Sequence, residues 1–229
     1  MPFPSQKKLA RHKSQFPRTA AEWQEAVIDF AVDVIVIFLV VFLVIRPFII
    51  APFQVKQSSM EPNVHDSEYI LVSKLPYNSL IGWDSYQHGD ILVFRPPTDD
   101  SNYLIKRVIG APGDTVRIHE GYISQLNQET GMFERVDESY LAPRNLGNTC
   151  MNPIGQTCSA ASKAEIHDFL VPDGSYFLLG DNRLASRDAR ACFQSRCVNE
   201  DDRYLITADI EGRAWTVFFP LGQARLLGR

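Results

Sequence analysis

Residues Ala26 to Ile45 form a twenty-residue run in which Val34 to Ile45 is uncharged and rich in Val, Ile, Leu and Phe. No other feature limits the fold as strongly. A helix of about twenty residues rising about 1.5 Å each matches the roughly 30 Å hydrocarbon core of a bilayer. Asp29 and Asp33 weigh against a span, because a carboxylate near the bilayer centre costs about 2.5–3.5 kcal/mol on insertion scales. They sit near one end, one helical turn apart, within reach of headgroups or a partner helix. Arg46 is placed to snorkel at the other end. The competing reading is a buried helix of a soluble domain. Lys7, Lys8, Arg11, Lys13 and Arg18 precede the run, and only Arg46 and Lys56 follow it closely. The positive-inside rule therefore predicts a cytoplasmic N-terminal segment. Arg46-Pro47-Phe48-Ile49-Ile50 offers no small-residue cleavage site, so the run reads as an uncleaved anchor.

Beyond it the chain changes to short runs rich in Val, Ile, Tyr and Phe, punctuated by Gly, Pro, Asn and Asp. Strands are expected at Tyr69 to Ser73, Ile91 to Phe94, Leu104 to Gly110, Thr115 to Ile118, Tyr176 to Leu179 and Ala214 to Phe219. Gly89-Asp90, Pro112-Gly113-Asp114 and Pro172-Asp173-Gly174 mark turns. With no long amphipathic helical period, the pattern predicts a mainly β, antiparallel domain. Polar sequence from about His119 to Val171 reads as an insertion forming a smaller cap lobe, the alternative being one long loop. At 229 residues and 45% hydrophobic content the chain can bury one sizeable core with an appended lobe. A net charge of −4 gives no reason to expect a nucleic-acid partner. Cys150 with Cys158 and Cys192 with Cys197 read most simply as two short disulfide loops in an oxidising compartment. Two other connectivities are open, and a zinc site competes, although neither spacing is C-x₂-C and no His cluster accompanies it.

Four blocks behind the anchor resemble the type I signal peptidases, the leader peptidases. Ser59-Met60-Glu61-Pro62 resembles the family's S-M-x-P motif, and Gly89-Asp90-Ile91-Leu92-Val93-Phe94 a family strand. Tyr103 to Asp114 resembles the block that holds a general-base lysine, here Lys106. Gly180-Asp181-Asn182-Arg183, followed by Ser186, Asp188 and Arg190, resembles the G-D-N-R-x-x-S-x-D-x-R block. Each block alone is short; four in family order are specific.

The resemblance implies a Ser-Lys serine endopeptidase that removes signal peptides, with Ser59 as nucleophile and Lys106 as base. A serine hydroxyl needs a neighbouring base, and lysine serves only when neutral. Its pKa of about 10.4 then has to fall by roughly 2 to 3 pH units, a differential stabilisation of about 3–4 kcal/mol that burial can provide. By the same resemblance Ser186 hydrogen-bonds the lysine amine, and Arg107, Asp181, Asp188 and Arg190 brace the site. Many members carry a serine two positions before the nucleophile as an oxyanion donor. This chain has Gln57 there, whose amide is the candidate replacement. Phe53, Val55, Val64, Leu104 and Ile105 correspond to the pockets that admit small residues at −1 and −3.

The implied organisation is a basic cytoplasmic segment at 1–25 and a transmembrane anchor at 26–48. A catalytic β domain follows from 49–118 and 172–222, with the cap lobe at 119–171. The expected setting is the bacterial inner membrane, single-pass, with a periplasmic catalytic domain working as a monomer. Signal peptides and membrane lipid are the expected partners, and no metal or organic cofactor is implied. The alternatives are a dedicated Ser-Lys protease, such as one maturing pilins, and a non-catalytic signal-peptide-binding module.

Overall fold

The computed structural model describes residues 19–45, 49–74, 86–96, 102–151, 157–193 and 197–228. Two compact units divide the chain, at 1–45 and 46–229. In the first, helix α1 (Ala20–Val40) runs on into a π-helical turn at Val41–Ile45. Its start lies before the expected Ala26, since Ala20, Ala21, Glu22 and Glu25 favour helix as well as the apolar residues do. Trp23–Leu43 is long and apolar enough to cross a membrane, and its large apolar side chains are exposed. Asp29 and Asp33 lie on this helix. The basic residues before Thr19, and Arg46 to Phe48, fall outside the described residues.

The second unit is built on an antiparallel sheet of eight strands. In chain order these are β1 (Ile50–Gln54), β2 (Tyr69–Ser73), β3 (Ile91–Phe94), β4 (Leu104–Gly110), β9 (Ser175–Leu179), β10 (Tyr204–Ile206), β11 (Ile210–Phe219) and β12 (Arg225–Leu226). The spatial order is β1-β2-β11-β3-β4-β9-β10, with β12 on β11. Period-two alternation feeds both faces. Leu92 and Phe94 enter one apolar cluster and Ile91 and Val93 the other, so all of β3 is buried.

A four-stranded sheet in the order β7-β6-β5-β8 covers the face that holds Leu92 and Phe94. It comprises β5 (Thr115–His119), β6 (Tyr122–Leu126), β7 (Phe133–Arg135) and β8 (His167–Leu170). Val116, Ile118, Ile123 and Phe169 share one core with Phe94, Phe177 and Leu178. The first strand of this sheet, β5, starts at Thr115, four residues ahead of His119. The turn at Gly113, whose φ is +85°, redirects the chain after β4, and β5 then pairs with β6 and β8. The main sheet likewise extends past residue 222 to β12.

Candidate active site

Ser59 lies in the turn that follows β1, which folds back to start β2. Val55 and Glu68 close the base of this turn with Val55 N–H donating to the Glu68 carbonyl at 2.8 Å. Met60 and Val64, both 0% exposed, anchor it in the apolar cluster with Val55, Ile70 and Ile105. Lys106 is the third residue of β4. There β3 pairs with it on one side, Leu92 opposite Lys106, and β9 on the other. The strand thus holds the lysine backbone rigidly beneath the serine turn.

Lys106 Nζ lies 2.7 Å from Ser59 Oγ and 2.8 Å from the Ile105 carbonyl oxygen. Ser59 is 4% exposed and Lys106 1%. Burial lowers the Lys106 pKa to about 8; Asp188 and Asp181 pull it upward and Arg190 pushes it down. An amine with that pKa is substantially neutral just above pH 8 and lies within proton-transfer reach of a serine hydroxyl.

The frame around the pair is charged but internally matched. Arg107 grips Asp181 with two bonds, Nε to Oδ1 at 2.8 Å and Nη2 to Oδ2 at 2.7 Å. Arg190 grips Asp188 in the same way, with Nε to Oδ1 and Nη2 to Oδ2 both at 2.8 Å. Asp188 also accepts the Gly180 N–H at 3.1 Å, and Arg190 reaches the Cys150 and Arg183 carbonyls, each at 3.0 Å. Arginine bonds to the Asp188 carboxylate more than offset the effect of burial, so its pKa stays below the usual carboxylate range. The structure pairs Cys150 with Cys158 and Cys192 with Cys197. Among the described residues, no group of three or more His, Cys, Asp or Glu is placed to hold a metal ion.

Two of the expected site residues differ from the others in their surroundings. Ser186 is buried beside the pair, but its hydroxyl makes no hydrogen bond, whereas a bond to the lysine amine was expected. The Ser186 side chain packs against Gly180 while Lys106 Nζ is directed to Ser59 and Ile105. A Cβ at Gly180 would collide with the Ser186 side chain and the Ser59 carbonyl, so only glycine permits this approach. Leu104 parts from the other four expected pocket residues. Strand alternation turns it to the cluster of Phe94 and Phe177, whereas Phe53, Val55, Val64 and Ile105 share the cluster beside the serine turn. Val64 and Val55 are buried there, and Phe53 is half-buried. Gln57 is exposed two residues ahead of Ser59.

Individual sequence motifs did not single out the contacts that clamp the turn. Asn182 N–H donates to the Ser59 carbonyl at 2.9 Å, and its side-chain amide donates to the Ser58 carbonyl at 3.1 Å. Arg183 is 0% exposed and bonds Gly180, Thr149, Tyr140 and Glu138, tying the Gly180 block to the inserted segment. A buried arginine demands such partners, but sequence does not reveal which residues supply them.

A family model described as signal peptidase, peptidase S26, matches residues 27–219. A signal peptidase I of Pseudomonas aeruginosa is 34% identical over 169 residues, covering 66% of this chain and 58% of that protein. The signal peptidase I T of Bacillus subtilis is 31% identical over 221 residues, covering 95% of this chain and 93% of its own length. A signal peptidase I of Rickettsia canadensis is 30% identical over 205 residues, 75% of this chain and 72% of that one. The chain thus spans well under two thirds of the Pseudomonas relative and most of the Bacillus one. A solved signal peptidase I from Enterococcus faecalis V583 is 25% identical, with 56% of this chain and 96% of that chain covered and a TM-score of 0.39.

Proposed function

The chain belongs to the signal peptidase family, peptidase S26, and on that premise we propose that it is a membrane-anchored serine endopeptidase removing signal peptides from exported preproteins. The observation that carries the mechanism is the buried Lys106 Nζ at 2.7 Å from Ser59 Oγ. Neutral Lys106 takes the Ser59 proton as Oγ attacks the scissile carbonyl. The resulting ammonium then protonates the leaving amine, and the freed lysine activates water against the acyl-enzyme.

The oxyanion is held by the Ser59 N–H and the Gln57 side-chain amide; removal of one such donor typically costs about 10²–10³ in rate. Phe53, Val55 and Ile105 form the shallow pockets for small residues at −1 and −3, with Val64 as their floor. Asn182 fixes the serine turn through the Ser58 and Ser59 carbonyls. Arg107, Asp181, Asp188 and Arg190 brace the lysine strand and the Gly180 block, and Ser186 fills the space beneath them. The apolar helix at Trp23–Leu43 fits an anchor. In this reading the basic segment before it is cytoplasmic, the β unit faces the periplasm, and the enzyme acts as a monomer.

The test is cleavage of a preprotein in detergent by the full chain and by Ser59→Ala and Lys106→Met. The wild type is expected to cut after a small-x-small sequence and each variant to lose essentially all cleavage while remaining folded. Undiminished cleavage by Lys106→Met contradicts the mechanism, and no cleavage by the wild type contradicts the function.

A further inference from the structure

Four residues beyond Ser59, Asn63 is a junction at which every backbone and side-chain N–H group is engaged. Its N–H donates to the Met60 carbonyl at 3.0 Å, closing the serine turn. Its side-chain Nδ2 donates to the Tyr140 carbonyl at 2.9 Å, in the inserted segment, and to Asp181 Oδ2 at 2.7 Å. Its carbonyl accepts from Arg225 Nη2 at 2.7 Å and Nε at 3.3 Å. Arg225 is itself held by Glu68, 2% exposed, through Nη1 to Oε1 at 2.8 Å and Nη2 to Oε2 at 2.7 Å. The Asp181 oxygen that Asn63 engages also accepts Arg107 Nη2, and Arg107 is the residue after Lys106 on β4.

A short relay therefore joins the two halves of the reacting pair: Ser59 turn, Asn63 amide, Asp181 carboxylate, Arg107 and Lys106. Apolar packing of Met60 and Val64 holds the turn down but is non-directional. The Asn63 amide adds a directional tether to the strand that carries the base. We propose that Asn63 is a positioning residue that sets the Ser59–Lys106 separation through Asp181, with Arg225 fixing its backbone from the other side. The proposal rests on the Ser-Lys reading above. An isosteric carboxylate at position 63 would abolish the donor to Asp181 and place a second negative charge in the relay. Added negative charge favours the ammonium form of Lys106.

The experiment compares full-length wild type, Asn63→Ala and Asn63→Asp in detergent. It follows preprotein cleavage across pH and the titration of the Lys106 amine by ¹⁵N NMR. Asn63→Ala is expected to lower kcat roughly 10- to 100-fold at unchanged KM, the scale of effect of a sub-ångström to 1 Å misplacement. Asn63→Asp, which also loses the donor to Asp181, is expected to lower kcat to a similar extent at unchanged KM, and to move both the acidic limb of the rate profile and the Lys106 titration to higher pH. Wild-type kcat in Asn63→Ala, or an unmoved Lys106 titration in Asn63→Asp, overturns the proposal. If Asn63→Ala does not fold, the near-isosteric Asn63→Asp decides by its titration. If the wild type cleaves no preprotein, the peptidase reading falls while the titration still decides the role of Asn63.

Discussion

The ion pairs around Lys106 and the one on the inserted sheet have nearly the same geometry in different solvent. Arg107–Asp181 and Arg190–Asp188 close at 2.7 and 2.8 Å with side chains no more than 2% exposed. Arg117–Asp168 closes at 2.6 Å, but its partners are 30% and 43% exposed. Separation alone therefore says little about consequence. Buried charges must be matched, because an unpaired one costs several kcal/mol. Water already screens the exposed pair. The matching has an electrostatic result: with each aspartate answered by an arginine, the pull of the carboxylates does not outweigh burial, and the Lys106 pKa stays near 8.

The largest effect that sharpens this contrast is expected from Asp188→Ala, which strands Arg190 in the interior. Its loss of stability should be about 3–5 kcal/mol, read from the urea midpoint. A loss too small to measure would erase the distinction between the two regions. Next in size is Lys106→Met. The folded lysine has a pKa of about 8 against about 10.4 unfolded, so the unfolded chain holds the proton more tightly and wild-type stability rises with pH across that window. Methionine removes the penalty. The variant should be more stable than wild type by up to about 3 kcal/mol below pH 8, and the gain should fade as the pH approaches 10. Equal melting temperatures at pH 7 would mean that the amine is not desolvated. The smallest effect is expected from Arg117→Ala, which should leave the melting temperature and preprotein cleavage unchanged within error. A marked drop in either would show that the exposed pair behaves like the buried ones.

Much of the main sheet was legible because alternation and turn residues are local signals. β2, β3 and β4 fall on the expected residues. The insertion was less legible. β6, β7 and β8 carry Ser124, Gln125, Glu134, Arg135 and His167, residues that half-buried strands tolerate and that mask the period. The partners of β5 were not legible either, since pattern identifies a strand but not what it pairs with. At the candidate site, the motifs named Ser59 and Lys106, and the fold brings those two side chains to 2.7 Å. The partners of Arg183 and Asn63 were not legible. Glu138 and Tyr140 lie in polar sequence far from both, and only tertiary folding brings them within hydrogen-bond reach. The missing Ser186 bond shows the converse limit, for a motif names a residue without fixing its rotamer.

The most direct test of a desolvated base beside Ser59 is the pH titration of the Lys106 side-chain amine in the full chain in detergent micelles, followed by ¹⁵N NMR with Lys106→Met for assignment. The amine is expected to titrate near pH 8. Titration near the ordinary lysine value of about 10.4 would contradict the account.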